Sequence, residues 1–384
     1  MNSPVPIRSK LPSVGTTIFT VMSRMAAELG AINLSQGFPD FDCDPALVDG
    51  VARHMRAGRN QYAPMQGVLP LREAIAAQYA HLHNREYDPD TEVTVTSGGT
   101  EAIFAAVSAV LHPGDEAIVL EPCYDSYLPA IELSGGVPVI VRLTYPDYGV
   151  DWESVRAAVT PRTRLIFLNS PHNPAGAVLT PADMAALAAL VANTNILILS
   201  DEVYEHIIFD GVQHESMARH PELAARSFII GSFGKTYHVT GWKVGYAVAP
   251  AALTAEFRKV HQFVTFSTHT PVQYALAEFM QRKEQYLGLA AFYQKKRDYF
   301  RERIRESRFT LLPSSGTYFQ SVRYDDITDE NDSDFAMRLT REHGIAAIPL
   351  SAFYHTPPHH KVLRFCFAKT EQTLFKGTEI LRSI

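Results

Sequence analysis

Cysteine is scarce in this 384-residue chain: Cys43, Cys123 and Cys366 are far apart and odd in number. They make neither a disulfide framework nor a paired metal-ligand pattern, so no metal is expected and a reducing compartment is implied. Apolar runs never approach the roughly 20 residues that span a bilayer, so no membrane association is expected. The first residues, broken by Pro4, Pro6 and Pro12, have no apolar signal core, and a cytoplasmic location is the expectation. Long basic clusters are missing and the formal net charge is −6, which argues against a nucleic-acid partner. Internal repeats and low-complexity segments are also absent. What remains is 46% hydrophobic and 20% charged residues, the composition of an ordinary globular protein with a large core.

Along the chain, short apolar runs alternate with helical patterns. Strands are predicted at Val93–Thr96, Ala117–Leu120, Val137–Leu143, Arg164–Leu168, Ile196–Leu199 and Phe228–Ile230. Helices are predicted at Leu69–His83, Tyr124–Leu133, Trp152–Val159 and Ala182–Val191. Such alternation implies an α/β fold with a mainly parallel sheet covered on both faces. Residues 45–280 are expected to form this large domain. The arm and short helix of residues 1–44, with the looser strands and helices of 281–384, are expected to form a smaller α+β domain.

Four strings stand at expected strand ends, where open α/β sheets place ligands. Ser97-Gly98-Gly99-Thr100 is a glycine-rich strand-to-helix turn with free N–H groups suited to a phosphate. Asn169-Ser170-Pro171-His172-Asn173-Pro174-Ala175-Gly176 fixes the Asn173 amide between two prolines. Ser200-Asp201-Glu202-Val203-Tyr204 ends a buried strand in a carboxylate that needs a cationic partner. Ser232-Phe-Gly-Lys235, with Lys243 eight residues on, sets an amine among glycines, a hydroxyl and a second cation, and a nearby cation and partial burial both lower an ammonium pKa. Each alone also reads as a plain turn or helix cap. Phosphate seat, ring-nitrogen carboxylate, phenol and amide donors and an imine-forming amine are together what pyridoxal phosphate requires.

With these motifs in place, the chain resembles the class I/II aminotransferases of fold type I over nearly its whole length. Ser35-Gln-Gly37-Phe38-Pro-Asp40, Asn60-Gln-Tyr62 and Gly67 are most similar to the branch of methionine and kynurenine (glutamine–phenylpyruvate) aminotransferases. The resemblance implies that Lys235 carries the cofactor as an imine and shuttles the substrate proton, and that Asp201 keeps the ring nitrogen protonated. It implies that Tyr204 and Asn173 hydrogen-bond the ring oxygen and that Tyr124 stacks on the ring. Gly99, Thr100, Ser232 and Lys243 would hold the phosphate, with Tyr62 of the neighbouring subunit, which makes a homodimer part of the site. Lys243 departs from the arginine many relatives carry there and loses a bidentate fork. Arg364, with Gly37 and Asn173, would hold the substrate carboxylate.

An aspartate-specific site needs a second arginine, and residues 261–270, expected to reach across the dimer, contain none. Ile18, Phe19, Phe38, Phe266 and His269 are expected to line an apolar or aromatic pocket. The implied reaction moves the amino group of methionine, an aromatic amino acid, kynurenine or glutamine to a 2-oxo acid by a ping-pong course. A β-lyase acting on cysteine conjugates or cystathionine with the same cofactor is the alternative. A regulator with an aminotransferase-like domain would need an added DNA-binding domain, and no helix-turn-helix pattern is present.

Overall fold

In the computed structural model, which describes residues 7–384, the apolar runs become strands. In chain order these are β1 (Ile32–Asn33), β2 (Val93–Thr96), β3 (Glu116–Glu121), β4 (Val137–Arg142), β5 (Thr163–Asn169), β6 (Leu197–Asp201) and β7 (Ser227–Ser232). They continue as β8 (Gly245–Val248), β9 (Thr310–Leu311), β10 (Phe319–Arg323), β11 (Ile345–Ala346), β12 (Ile348–Pro349) and β13 (Val362–Cys366). Residues 1–6, the start of the expected arm, lie outside the described residues.

Seven strands form one sheet in the order β2-β8-β7-β6-β5-β3-β4. Every neighbouring pair is parallel except the two that β8 makes. Alternate residues along one strand serve two separate cores: Ile118 and Leu120 pack on one face, Ala117 and Val119 on the other. Burial on both faces explains why these strands read as continuous apolar runs rather than alternating ones. Each fully buried Leu, Ile or Phe contributes about 1.5–3 kcal/mol.

The antiparallel β8 was not foreseen, and it matters for the site. Because it runs against its neighbours, its first residues open at the same sheet edge as the last residues of β2, β3, β5, β6 and β7. That edge lies at a switch point, since β3 sits between β4 on one side and β5 on the other.

The remaining strands make a four-stranded antiparallel sheet, β12-β13-β10-β9, and a parallel pair, β1-β11. The apolar stretch 309–322 is a hairpin of β9 and β10. Pro313, with no N–H to donate, and Thr317, at φ +66°, break it. Residues 345–348 likewise divide between two sheets on either side of Ala347. The Cys366 N–H donates to the Leu34 carbonyl at 2.8 Å, tying the N-terminal segment beside β13. Tyr124, expected to open a helix, lies in the turn before the helix Tyr127–Leu133. Helices at Pro45–Arg56, Ala251–Val264 and Thr270–Phe279 went unpredicted.

Candidate active site

One cavity at that sheet edge is lined by Gly99, Thr100, Tyr124, Asn173, Asp201, Tyr204, Ser232, Lys235 and Lys243, nine residues expected from the sequence, together with Gly98, Asn169 and others. Lys235 lies just past β7 in the short helix Phe233–Thr236. Its Nζ donates to Tyr318 Oη at 3.0 Å and to the Gly37 carbonyl at 3.3 Å. Burial, helped by the charges of Lys243 and Arg364, pushes its pKa down to about 8. The lowering expected from the neighbouring cation and partial burial has the same direction, with desolvation leading.

Asp201, at the end of β6, is 4% exposed. Burial pushes its pKa up to about 6, even though Tyr127 donates to Oδ2 at 2.6 Å and the Val203 N–H to Oδ1 at 3.3 Å. A carboxylate so placed is stabilised by a cation opposite it. Asn169 holds the loop by donating Nδ2 to the Asp201 carbonyl at 2.8 Å and accepting the Asn173 N–H at 2.8 Å.

Arg364, on β13, is 1% exposed and forms no ion pair among the described residues. Nη1 donates to Asn173 Oδ1 at 2.6 Å and Nη2 to the Ser35 carbonyl at 3.3 Å, while Nε has no partner. Phe319 stacks on the guanidinium with 3.8 Å between Cζ and the ring centroid, and Phe353 lies at 4.8 Å. Burial pushes its pKa down to about 10. Leaving a guanidinium dry and short of an anion is costly unless a carboxylate arrives to complete it. Gly37 is needed for this approach, because a Cβ there would lie 2.8 Å from the Phe319 ring.

The helix Gly98–Val110 points its first N–H groups at the cavity, and no side chain caps them. Gly98 has φ +74°, and a Cβ on it would come 3.3 Å from Lys243 Nζ. Thr100 Oγ1 and Tyr124 Oη lie 3.3 Å apart at the same end. Backbone donors, two hydroxyls and an ammonium converge there, a donor set that fits a phosphate.

Of the other expected residues, Gly37 and Arg364 do not line the cavity but bond to Lys235 and Asn173, which do, whereas Tyr62, Ile18, Phe19, Phe38, Phe266 and His269 are not in its wall. Tyr62 is 83% exposed and stacks edge-on against Phe266, outside its own chain's cavity. Ile18 opens the helix Ile18–Leu29 and Phe38 is 44% exposed, and neither lines the cavity. Of the stretch expected to reach across a dimer, His261 is instead buried, bonded to Glu101 Oε1 at 2.8 Å and the Met65 carbonyl at 3.0 Å. Sequence reasoning missed Tyr318, Tyr127, Asn169 and Ser35. Only their neighbourhoods carried a signal: Asn169 opens the proline-flanked string, and Tyr318 follows Gly316-Thr317 at a strand entrance. Among the described residues no group of three or more His, Cys, Asp and Glu is placed to hold a metal ion, and no helix is long and apolar enough to cross a membrane.

Fold and site together are those of an α/β enzyme that transfers amino groups. The chain belongs to the aminotransferase class I and II family, whose model matches residues 30–381. It is 51% identical over its full length to the whole of the methionine aminotransferase of Escherichia coli strain K12. A solved E. coli structure described as having a methionine aminotransferase function superposes with TM-score 0.98 at 51% identity, covering 99% of this chain and 100% of that one. The N-succinyldiaminopimelate aminotransferase of Mycobacterium tuberculosis has TM-score 0.95 at 38% identity, over 98% and 100%. A kynurenine–oxoglutarate transaminase of Dictyostelium discoideum is 33% identical over 96% of this chain and 94% of its own length. The chain is thus an amino-acid aminotransferase of fold type I, and these relatives do not favour the lyase reading.

Proposed function

We propose that this enzyme uses pyridoxal 5'-phosphate to move the amino group of L-methionine, or of an aromatic amino acid, kynurenine or glutamine, to a 2-oxo acid. The observation that carries this reading is one cavity lined by Lys235, Asp201 and Asn173, with the buried Arg364 bonded to the Asn173 side chain behind it. When bound, the cofactor supplies an electron sink for the pair left as the substrate Cα loses its proton.

The chain's residues do the rest. Lys235 would hold the cofactor, and its amine would hold and move the substrate Cα proton. Asp201 pairs with the ring nitrogen, which relieves the cost of its own buried charge. Tyr204 donates to the ring oxygen, joined by Asn173, whose Oδ1 is taken by Arg364 and whose Nδ2 is left to donate. Tyr124, which lines the cavity, would pack on the ring. Gly99, Thr100, Ser232, Lys243 and the helix start receive the phosphate. Arg364 clamps the substrate carboxylate beside Gly37. The exposure of Tyr62 supports its service in a partner subunit's site and hence a homodimer. Residues 45–280 are the cofactor-binding domain, 1–44 with 281–384 the smaller one, and the cytoplasm is the location that fits the cysteine usage.

Substrate choice rests on the E. coli relative and on the absence of arginine in residues 261–270. In this reading Ile18, Phe19, Phe38, Phe266 and His269 would face the substrate side chain beyond the cofactor cavity, whose wall contains none of them; Phe19 packs on Phe353, which itself flanks Arg364. A panel of methionine, phenylalanine, kynurenine, glutamine, aspartate and N-succinyldiaminopimelate, read as half-reaction spectra, tests it. Methionine and aromatic donors are expected to lead; preference for aspartate or the succinylated donor overturns the substrate reading. Pyruvate and ammonia from an S-substituted cysteine without any oxo acid would restore the lyase.

A further inference from the structure

The phenol of Tyr318 bonds directly to the nitrogen on which the proposed reaction depends. Tyr318 immediately precedes β10 and is fully buried, its ring held by Tyr204 at 5.1 Å, Tyr293 at 5.6 Å and Phe319 at 4.9 Å. Its hydroxyl proton is committed, because Tyr318 donates to the Gly37 carbonyl. The oxygen is therefore left as an acceptor, and Lys235 Nζ donates to it at 3.0 Å while also donating to Gly37 O at 3.3 Å.

A neutral amine has two N–H bonds and one lone pair. Two fixed acceptors match the two N–H bonds, so the tetrahedral nitrogen has one position left over, its lone pair. Neither Tyr318 nor Gly37 lines the cavity, whereas Lys235 does, so that position faces the cavity. We propose that Tyr318, with the Gly37 carbonyl, is the positioning residue that holds the freed Lys235 amine with its lone pair aimed at the substrate Cα. In the proton step the lone pair becomes a third N–H bond and the C–H pair stays on the substrate side; passing that proton on, rather than returning it to Cα, restores the neutral amine. Both anchors survive the proton transfer, because the free amine and the ammonium each keep two N–H bonds for them. The depressed Lys235 pKa, about 8, gives the free amine a substantial neutral fraction near that pH.

This inference deepens the function proposed above and rests on it. The test is Tyr318→Phe, which keeps the ring and removes only the bridge. With L-methionine, kcat is expected to fall about 10²-fold with KM little changed, the scale of a misplaced reacting group. The deuterium isotope effect with Cα-deuterated methionine should rise towards its full value as proton transfer becomes limiting. Independently of turnover, the cofactor-free variant should capture pyridoxal 5'-phosphate more slowly, and the midpoint of its capture rate against pH should move from that of the native chain. Unchanged isotope effect and unchanged capture profile overturn the proposal. Should Tyr318→Phe fail to fold, 3-fluorotyrosine at position 318 weakens the oxygen as an acceptor without removing it. It should then slow both rates, and identical rates overturn the proposal equally. Lys235→Ala, run alongside, separates the two readings: an active Lys235→Ala refutes the function itself, whereas an inactive one beside an indifferent Tyr318→Phe refutes only the role of Tyr318.

Discussion

Replacing Asp201 by asparagine should make the cofactor-free chain more stable while disabling the enzyme. The carboxyl is 4% exposed and its pKa stands near 6, against 3.8 for the free group. The folded chain thus holds a proton that the unfolded chain gives up, so stability falls as pH rises from about 4 to about 6 and the full cost is present above that. A shift of about 2 units corresponds to about 3 kcal/mol at pH 8 and about 1 kcal/mol at pH 4.5. Asp201→Asn removes the charge but keeps an oxygen for the Tyr127 hydroxyl, so the gain should follow the same pH course. Urea unfolding of wild type and variant without cofactor, at the two pH values, measures it. Added pyridoxal 5'-phosphate should stabilise the wild type more than the variant, because only the carboxylate gains a cationic partner. A variant that is destabilised equally at both pH values would refute the reasoning. Such a gain is the stability–activity trade expected where a site carries an uncompensated buried charge.

Arg364→Lys loses the planar fork that a carboxylate meets bidentately, and kcat/KM for amino acid and oxo acid alike should fall by about 1.5–3 kcal/mol, roughly 10–150-fold, in steady-state kinetics. A drop confined to the amino donor would argue that the guanidinium contacts the side chain instead. Mixing Lys235→Ala with Tyr62→Ala chains, followed by subunit exchange, should yield more activity than the mean of the two parents if Tyr62 serves the partner's site. No recovery would place Tyr62's role within its own chain.

Much of this molecule was legible because its central strands are buried on both faces. Continuous runs such as Ile198-Leu199 and Phe228-Ile229-Ile230 admit few other readings, and the polar strings after them fall at the sheet edge by topology alone. Lys235, Asp201, Asn173 and Gly99 were found because each sits within such a string. Residues that reach the site sideways were hidden. Tyr127 touches Asp201 across 74 positions of sequence, and Tyr318 touches Gly37 across 281, separations that no local pattern encodes. The direction of β8 was hidden too, since a four-residue buried strand looks the same run either way. Helices such as Pro45–Arg56 were overlooked although Asp44 caps the first turn, accepting the Ala46 N–H at 2.8 Å.

The pairing of β1 with β11 joins Ile32 to Ile345 and Asn33 to Ala346. During synthesis the ribosome releases residues 18–44 early, yet their strand partner is among the last segments to emerge. The large sheet, complete by residue 248, can assemble while the first helix and the Ser35–Gly37 turn still wait. Arg364 and Tyr318 meet their partners Ser35 and Gly37 only when that late closure occurs. A nascent chain with its large sheet already folded would therefore still lack the Arg364–Ser35 and Tyr318–Gly37 contacts, and with them the proposed grip on the substrate carboxylate.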